Sequence, residues 1–198
     1  MDNEMIILAS GSPRRKALLD ALGWKFRVAV PNIDETIFHG EDIREAVQRV
    51  SAEKARSIHS MYPGKLVIAA DTVVLIGDRI LGKPADRREA QDMILSLNGR
   101  THRVITGVAL FYREQVNLSS EITEVTFRNL DHSAVEAYVA TGEGFDKAGA
   151  YAIQGRGSLL VSSIRGCYYN VVGLPVHLVS SMMEKIGFSL SYQWGALN

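Results

Sequence analysis

The chain has 198 residues, 46% of them apolar, enough to bury a sizeable core and to set disorder aside. Its 22 Lys+Arg balance 22 Asp+Glu, and a formal net charge of zero argues against a general nucleic-acid binder, so any basic cluster must be local and aimed at a small anion. The single cysteine, Cys167, excludes an internal disulfide framework and a CxxC metal knuckle. No apolar run approaches the roughly 18 to 20 residues of a membrane span. The start, MDNEMIILAS, is acidic and its apolar run is short, unlike a signal peptide. A cytoplasmic protein with no membrane or nucleic-acid partner is expected.

In chain order, residues 5–9 read as a buried strand. Ser12 is a good N-cap and Pro13 suits the first position of a helix, with Ala17, Leu18, Ala21 and Leu22 at helical spacing and Gly23 as a stop. Residues 24–30 suggest a second strand, 31–42 a polar loop and 43–60 a helix broken by Tyr62-Pro63-Gly64. Residues 66–70 and 72–76 form a strand type interrupted only by Asp71. Asp86-x-x-Glu89 opens a helix whose apolar face is Ala90, Met93, Ile94 and Leu97. Strands are expected at 102–112, 121–128, 158–164 and 168–172, and helices from Ser133 to near Gly142 and from Pro175 to Ile186. Strands alternating with helices, then adjacent strands, give an α/β class with a mixed β-sheet and flanking helices in one domain, residues 1–198.

Arg14, Arg15 and Lys16 stand at a helix N-terminus, where the dipole disfavours cations. An anion held by the turn's free N–H groups, the Ser10 and Ser12 hydroxyls and Arg14 makes both dipole and charge favourable. Solvated arginines are the plainer reading. Lys54 falls in the middle of the stripe formed by Ile43, Val47, Val50 and Ile58. Either its stem packs and its ammonium reaches water, or it points inward to a phosphate. Asp71 directly follows an apolar strand and needs a donor, a cation or an exposed strand end. It is either a structural aspartate or a ligand group at a strand end. Asp34-Glu35 offers a second carboxylate in a polar loop.

GDRILGKP (77 to 84) nearly matches GxxxxGK[ST], but Pro84 replaces the hydroxyl residue and Gly77-Asp78 looks like a hairpin turn. The P-loop fold is rejected, although Lys83 can still bind phosphate. GAYAIQGRGS lacks a full dinucleotide fingerprint. His39, His59, His102, His132 and His177 show no metal spacing, and Cys167 reads as packing.

LASGSPRRKALLDALG, EKAR, ADTVV, GKP, DKAGAYAIQG and NVVGLPV, in that order, resemble the Maf family of nucleoside triphosphate pyrophosphatases. The resemblance runs from Leu8 to about Pro175 and is weakest over residues 36–50. DKAGAYAIQG is similar to the branch assigned to dTTP and UTP. The resemblance implies a fold related to the inosine triphosphate pyrophosphatases, two lobes around a cleft, and hydrolysis to the monophosphate and pyrophosphate with Mg²⁺ or Mn²⁺. It assigns Asp71 as proton acceptor and associates Arg14, Thr72 and Gln154 with substrate choice. Ser10, Glu35, Lys54, Lys83 and Lys147 match polar positions lining the cleft. Asp71 and Glu35 offer hard oxygens to the metal. The expected chemistry is metal-assisted attack of water at the α-phosphorus, with Asp71 orienting or deprotonating that water. The family also implies a homodimer, and an alternative role as a nucleotide-binding regulator of septum formation acting through a partner. A modified pyrimidine nucleotide is the alternative substrate.

Overall fold

Ile6, Ile7, Leu8 and Ala9 are all buried, and this unbroken apolar run forms β1 (Ile6–Ala9). The computed structural model describes residues 6–38 and 40–195. Met5, assigned to this strand from sequence, and His39 lie outside the described residues. Ser12 caps α1 (Pro13–Ala21) by accepting from the Arg15 N–H, with Pro13 in the first turn and Gly23 at φ 72° beyond the end. The expected strand at 24–30 is reduced to β2 (Phe26–Val28). Asp42 caps α2 (Ile43–His59) through the Arg44 and Glu45 N–H groups.

Next come β3 (Leu66–Ile76), which runs without a break through Asp71, and β4 (Arg79–Leu81). They pair antiparallel around Gly77-Asp78, with Gly77 at φ 58°, so this segment is a hairpin and not a phosphate loop. In α3 (Arg87–Leu97), Asp86 accepts from the Glu89 N–H, and Ala90, Met93, Ile94 and Leu97 are buried as their spacing predicts. β5 (Thr101–Tyr112) and β6 (Gln115–Phe127) flank a two-residue turn at Arg113-Glu114. Helix α4 (His132–Ala140) begins one residue before Ser133, capped by Asp131.

Two expected strands are corrected. Residues 155–160 form a 3₁₀ turn, leaving β7 (Val161–Arg165). Tyr168–Val172 is a short helix, α5, despite its aromatic and β-branched composition. There the buried Asn170 side chain donates to the Val104 carbonyl and to Thr123 Oγ1, and such tertiary contacts outweigh β-propensity. α6 (Val176–Lys185) and α7 (Leu190–Gly195) complete the chain.

The sheet has the order β2-β1-β3-β5-β6-β7, with β4 attached to β3. β1 is parallel to both neighbours and β6–β7 is antiparallel, which is the mixed sheet expected. The chain divides into two compact units. Among the described residues, the first comprises those within 1–71, 106–121 and 173–198, and the second those within 72–105 and 122–172. In the first, Ala52, Ala55 and Ile58 of α2 pack on Ile7, Ala9, Val67, Ala69 and Phe111 of the sheet. α2 lies so close that a Cβ on Gly107 would stand 2.2 Å from the Val47 carbonyl oxygen. In the second, α3 and α4 bury Met93, Ile94, Leu97, Val135 and Tyr138 with Val74, Val104, Val125 and Phe127. Among the described residues no helix is long and apolar enough to cross a membrane.

Candidate active site

β1 ends at Ala9, and the chain turns through Ser10-Gly11-Ser12 into α1. Ser10 is buried, and its hydroxyl accepts from the Ser12 N–H at 3.1 Å and from Arg15 Nη1 at 3.3 Å. Arg15 Nε donates to the Gly173 carbonyl at 2.7 Å, which joins the first basic turn to the NVVGLP segment. Burial holds the Arg15 pKa below its ordinary value, opposed by the charges of Asp71 and Glu35. An arginine stays protonated at any working pH, so Arg15 adds fixed positive charge beside these acids. The basic turn thus has an internal use through Arg15, whereas Arg14 was the arginine singled out from sequence.

Lys54 is only 4% exposed, and a buried ammonium requires partners. It has two: Asp71 Oδ1 at 2.7 Å and Glu35 Oε2 at 2.8 Å. The apolar stripe on α2 aims Lys54 at the sheet, where Asp71 interrupts the apolar residues of β3. Snorkelling to water is therefore excluded, and the partners are carboxylates. Asp71 is itself buried at 8% exposure, whereas Glu35 is exposed on its loop.

The Lys54 ammonium bonds one oxygen of each carboxylate, so both acids offer hard oxygens on the same side of the site. Among the described residues no group of three His, Cys, Asp or Glu side chains could hold a metal. Mg²⁺ commonly takes one or two carboxylates and completes its shell with water and substrate phosphates. The donor set fits that pattern.

Thr72, Lys83, Lys147 and Gln154 belong to the second unit. Thr72 follows Asp71 directly in β3 and is half-buried. Lys83 is exposed after β4, and the neighbouring Gly82 carbonyl accepts from the Gly149 N–H at 3.0 Å. Gly149 has φ 72°, and a Cβ there would stand 3.1 Å from Val74 Cγ1, so this close approach uses a glycine. The Lys147 ammonium donates to the Glu143 carbonyl and to Asp146 Oδ1. The Glu143 carboxylate accepts from the Arg156 and Gly157 N–H groups at 3.0 and 2.7 Å, shaping the turn just after exposed Gln154. The GKP, DKAGAY and QGRG segments thus form one loop system. Sequence reasoning missed Glu143, because an acid that bonds backbone N–H groups far along the chain leaves no periodic signal.

The Maf-like protein family profile matches residues 5–186. A dTTP/UTP pyrophosphatase of Symbiobacterium thermophilum is 47% identical over 187 residues, covering 94% of this chain and 96% of the relative. A dTTP/UTP pyrophosphatase of Myxococcus xanthus is 46% identical over 192 residues, covering 97% of each. Among solved structures, the Staphylococcus aureus Ham1 protein shares the fold, with TM-score 0.50, 13% identity, and coverage of 91% of this chain and 98% of that one. Near full-length identity at this level, together with the ordered motifs, places the chain in the Maf-like protein family.

Proposed function

We propose that this Maf-like protein hydrolyses dTTP and UTP to the monophosphate and pyrophosphate. The observation that carries the reading is buried Asp71 on β3, bonded to an α2 lysine that also meets a second carboxylate, in a chain so similar to proteins named for that reaction. Water attacks the α-phosphorus, the bond from that phosphorus to the bridging oxygen breaks, and pyrophosphate leaves. Asp71 accepts the proton of the attacking water, and its strand fixes the direction from which that water approaches. Ser10, Arg14 and the N–H groups at the start of α1 bind phosphate oxygens. Lys54 stays near the reacting phosphate and balances charge there, while Arg15 keeps the Ser10 turn in place. Asp71 and Glu35 would hold Mg²⁺ or Mn²⁺, which supplies Lewis-acid stabilisation of the phosphate charge. Lys83 and Lys147 are assigned to phosphate, and Thr72 and Gln154 to the base, on the family motif.

The test is pyrophosphate release from UTP, dTTP, CTP, the purine triphosphates, 7-methyl-GTP and methylated pyrimidine nucleotides, with Mg²⁺, Mn²⁺ or EDTA. Metal-dependent release favouring UTP and dTTP, and lost in a folded Asp71→Asn variant, is expected. Binding without release from any nucleotide would instead make the protein a nucleotide-binding regulator.

A further inference from the structure

Residues 31–38 have no regular secondary structure, so side-chain contacts must fix the position of Glu35. Asp34 tightens the turn locally by accepting from the Thr36 N–H and hydroxyl at 2.9 and 2.6 Å. The rest of the restraint converges on one residue of α2. Arg49 meets Glu41 with two parallel bonds, Nε to Oε1 at 2.7 Å and Nη2 to Oε2 at 2.8 Å. Nη2 also donates to the Thr36 carbonyl at 3.0 Å, immediately after Glu35. The guanidinium carbon lies 4.7 Å from the centre of the Phe38 ring, and Nη1 is steadied by Glu53 at 3.2 Å.

We infer that Arg49 is a positioning residue for Glu35: it clamps Thr36, Phe38 and Glu41 onto the helix that carries Lys54, and so sets where the Glu35 carboxylate meets the Lys54 ammonium. This inference rests on the reading of Glu35 as the second carboxylate of the active site. Partly exposed ion pairs contribute little to global stability, so the effect of the clamp is local. Only a planar fork can bond both Glu41 oxygens and the Thr36 carbonyl while stacking on Phe38. Lysine offers a point charge instead.

The test compares Arg49→Gln and Arg49→Lys, each alone and combined with Glu35→Gln. The readouts are kcat and KM for dTTP, Tm, and Mn²⁺ binding followed by electron paramagnetic resonance. Displacing a reacting group by about 1 Å can cost on the order of a hundredfold in rate. Arg49→Gln is expected to lower kcat at least tenfold, weaken Mn²⁺ binding several-fold, and leave dTTP KM within about twofold. Arg49→Lys should follow it, Tm should move by only a few degrees, and neither substitution should cost more once Glu35 is Gln. An unchanged kcat in Arg49→Gln, with Glu35→Gln impaired, overturns the inference alone. An equal loss in both backgrounds also overturns it, because Arg49 would then act independently of Glu35. Full activity in Glu35→Gln overturns the reading of Glu35 and this inference with it.

Discussion

Lys54 Nζ meets Asp71 Oδ1 at 2.7 Å, joining α2 to β3 through two side chains that are both almost fully buried. Neither charge could stay buried without the other, and Glu35 adds a third charge at 2.8 Å from the same nitrogen. The cluster carries one positive and two negative charges, with Arg15 nearby on the other side of the balance. It is therefore built to receive further positive charge or to release its lysine to an anion.

Lys54→Met removes the ammonium and leaves Asp71 in place with its close partner gone. Removing one partner of a buried ion pair costs about 3–5 kcal/mol, because the other charge stays buried and uncompensated. In a chain of this length that corresponds to a fall in Tm of roughly 6–20 °C. Turnover is expected to fall about a hundredfold or more, since the variant loses charge balance at the reacting phosphate as well. Calorimetry together with a pyrophosphate-release assay checks both. A variant with normal stability and normal turnover would show that the buried pair supports neither fold nor chemistry.

Much of the framework was legible where local chemistry and tertiary packing agree. The caps of α1 and α3 were readable because Ser12 and Asp86 bond N–H groups within their own first turn. The apolar stripe allowed an inward Lys54 beside a snorkelling one without deciding between them, and its carboxylate partners were not legible at all, because one lies on a loop and the other on a strand. Residues 115–120 alternate polar and apolar, yet Val116 and Leu118 are exposed, so this end of β6 beside β5 lacks the burial that marked the strand from Glu121 on. Tyr168–Val172 fails for the opposite reason: strong β-propensity gives way to the contacts of buried Asn170. Arg15 and Arg49 were hidden because each acts on backbone or loop groups distant in sequence.

His102 supplies a pH prediction. It is 2% exposed, its Nε2 is 2.8 Å from the Tyr151 hydroxyl, and Phe127 and Tyr151 meet it edge-on. Burial lowers its pKa to about 4. The unfolded chain, with a histidine near 6.5, therefore binds a proton that the folded chain refuses between pH 6.5 and 4. The contribution is fully present above pH 6.5 and is lost as pH falls toward 4, with a limit of order 3 kcal/mol. Asp34, Glu41 and Asp131, lowered by bonds from Thr36, Arg49 and the Ala134 N–H, lose their contributions only further into acid. Urea denaturation at pH 7, 6 and 5 should show a steeper decline for the wild type than for His102→Gln. Parallel declines would mean that His102 takes up its proton equally in the folded and unfolded chain, so that burial does not shift it.

Gln154 tests base selection separately from the chemistry at Asp71. The uracil and thymine edges present two carbonyl acceptors flanking one N–H donor, and the Gln154 amide carries both a donor and an acceptor. Its side chain is exposed and follows directly on buried Ile153, while Glu143 holds the turn on its other side. Gln154→Glu keeps the shape and the acceptor but replaces the amide donor with a carboxylate oxygen that faces a carbonyl. A site that loses a matching donor discriminates strongly, because the unpaired groups remain desolvated. The kcat/KM for UTP and dTTP should fall about ten- to a hundredfold, while the values for purine triphosphates change little. Equal losses for pyrimidine and purine nucleotides would assign Gln154 to loop structure or phosphate, and unchanged preference would remove it from base recognition.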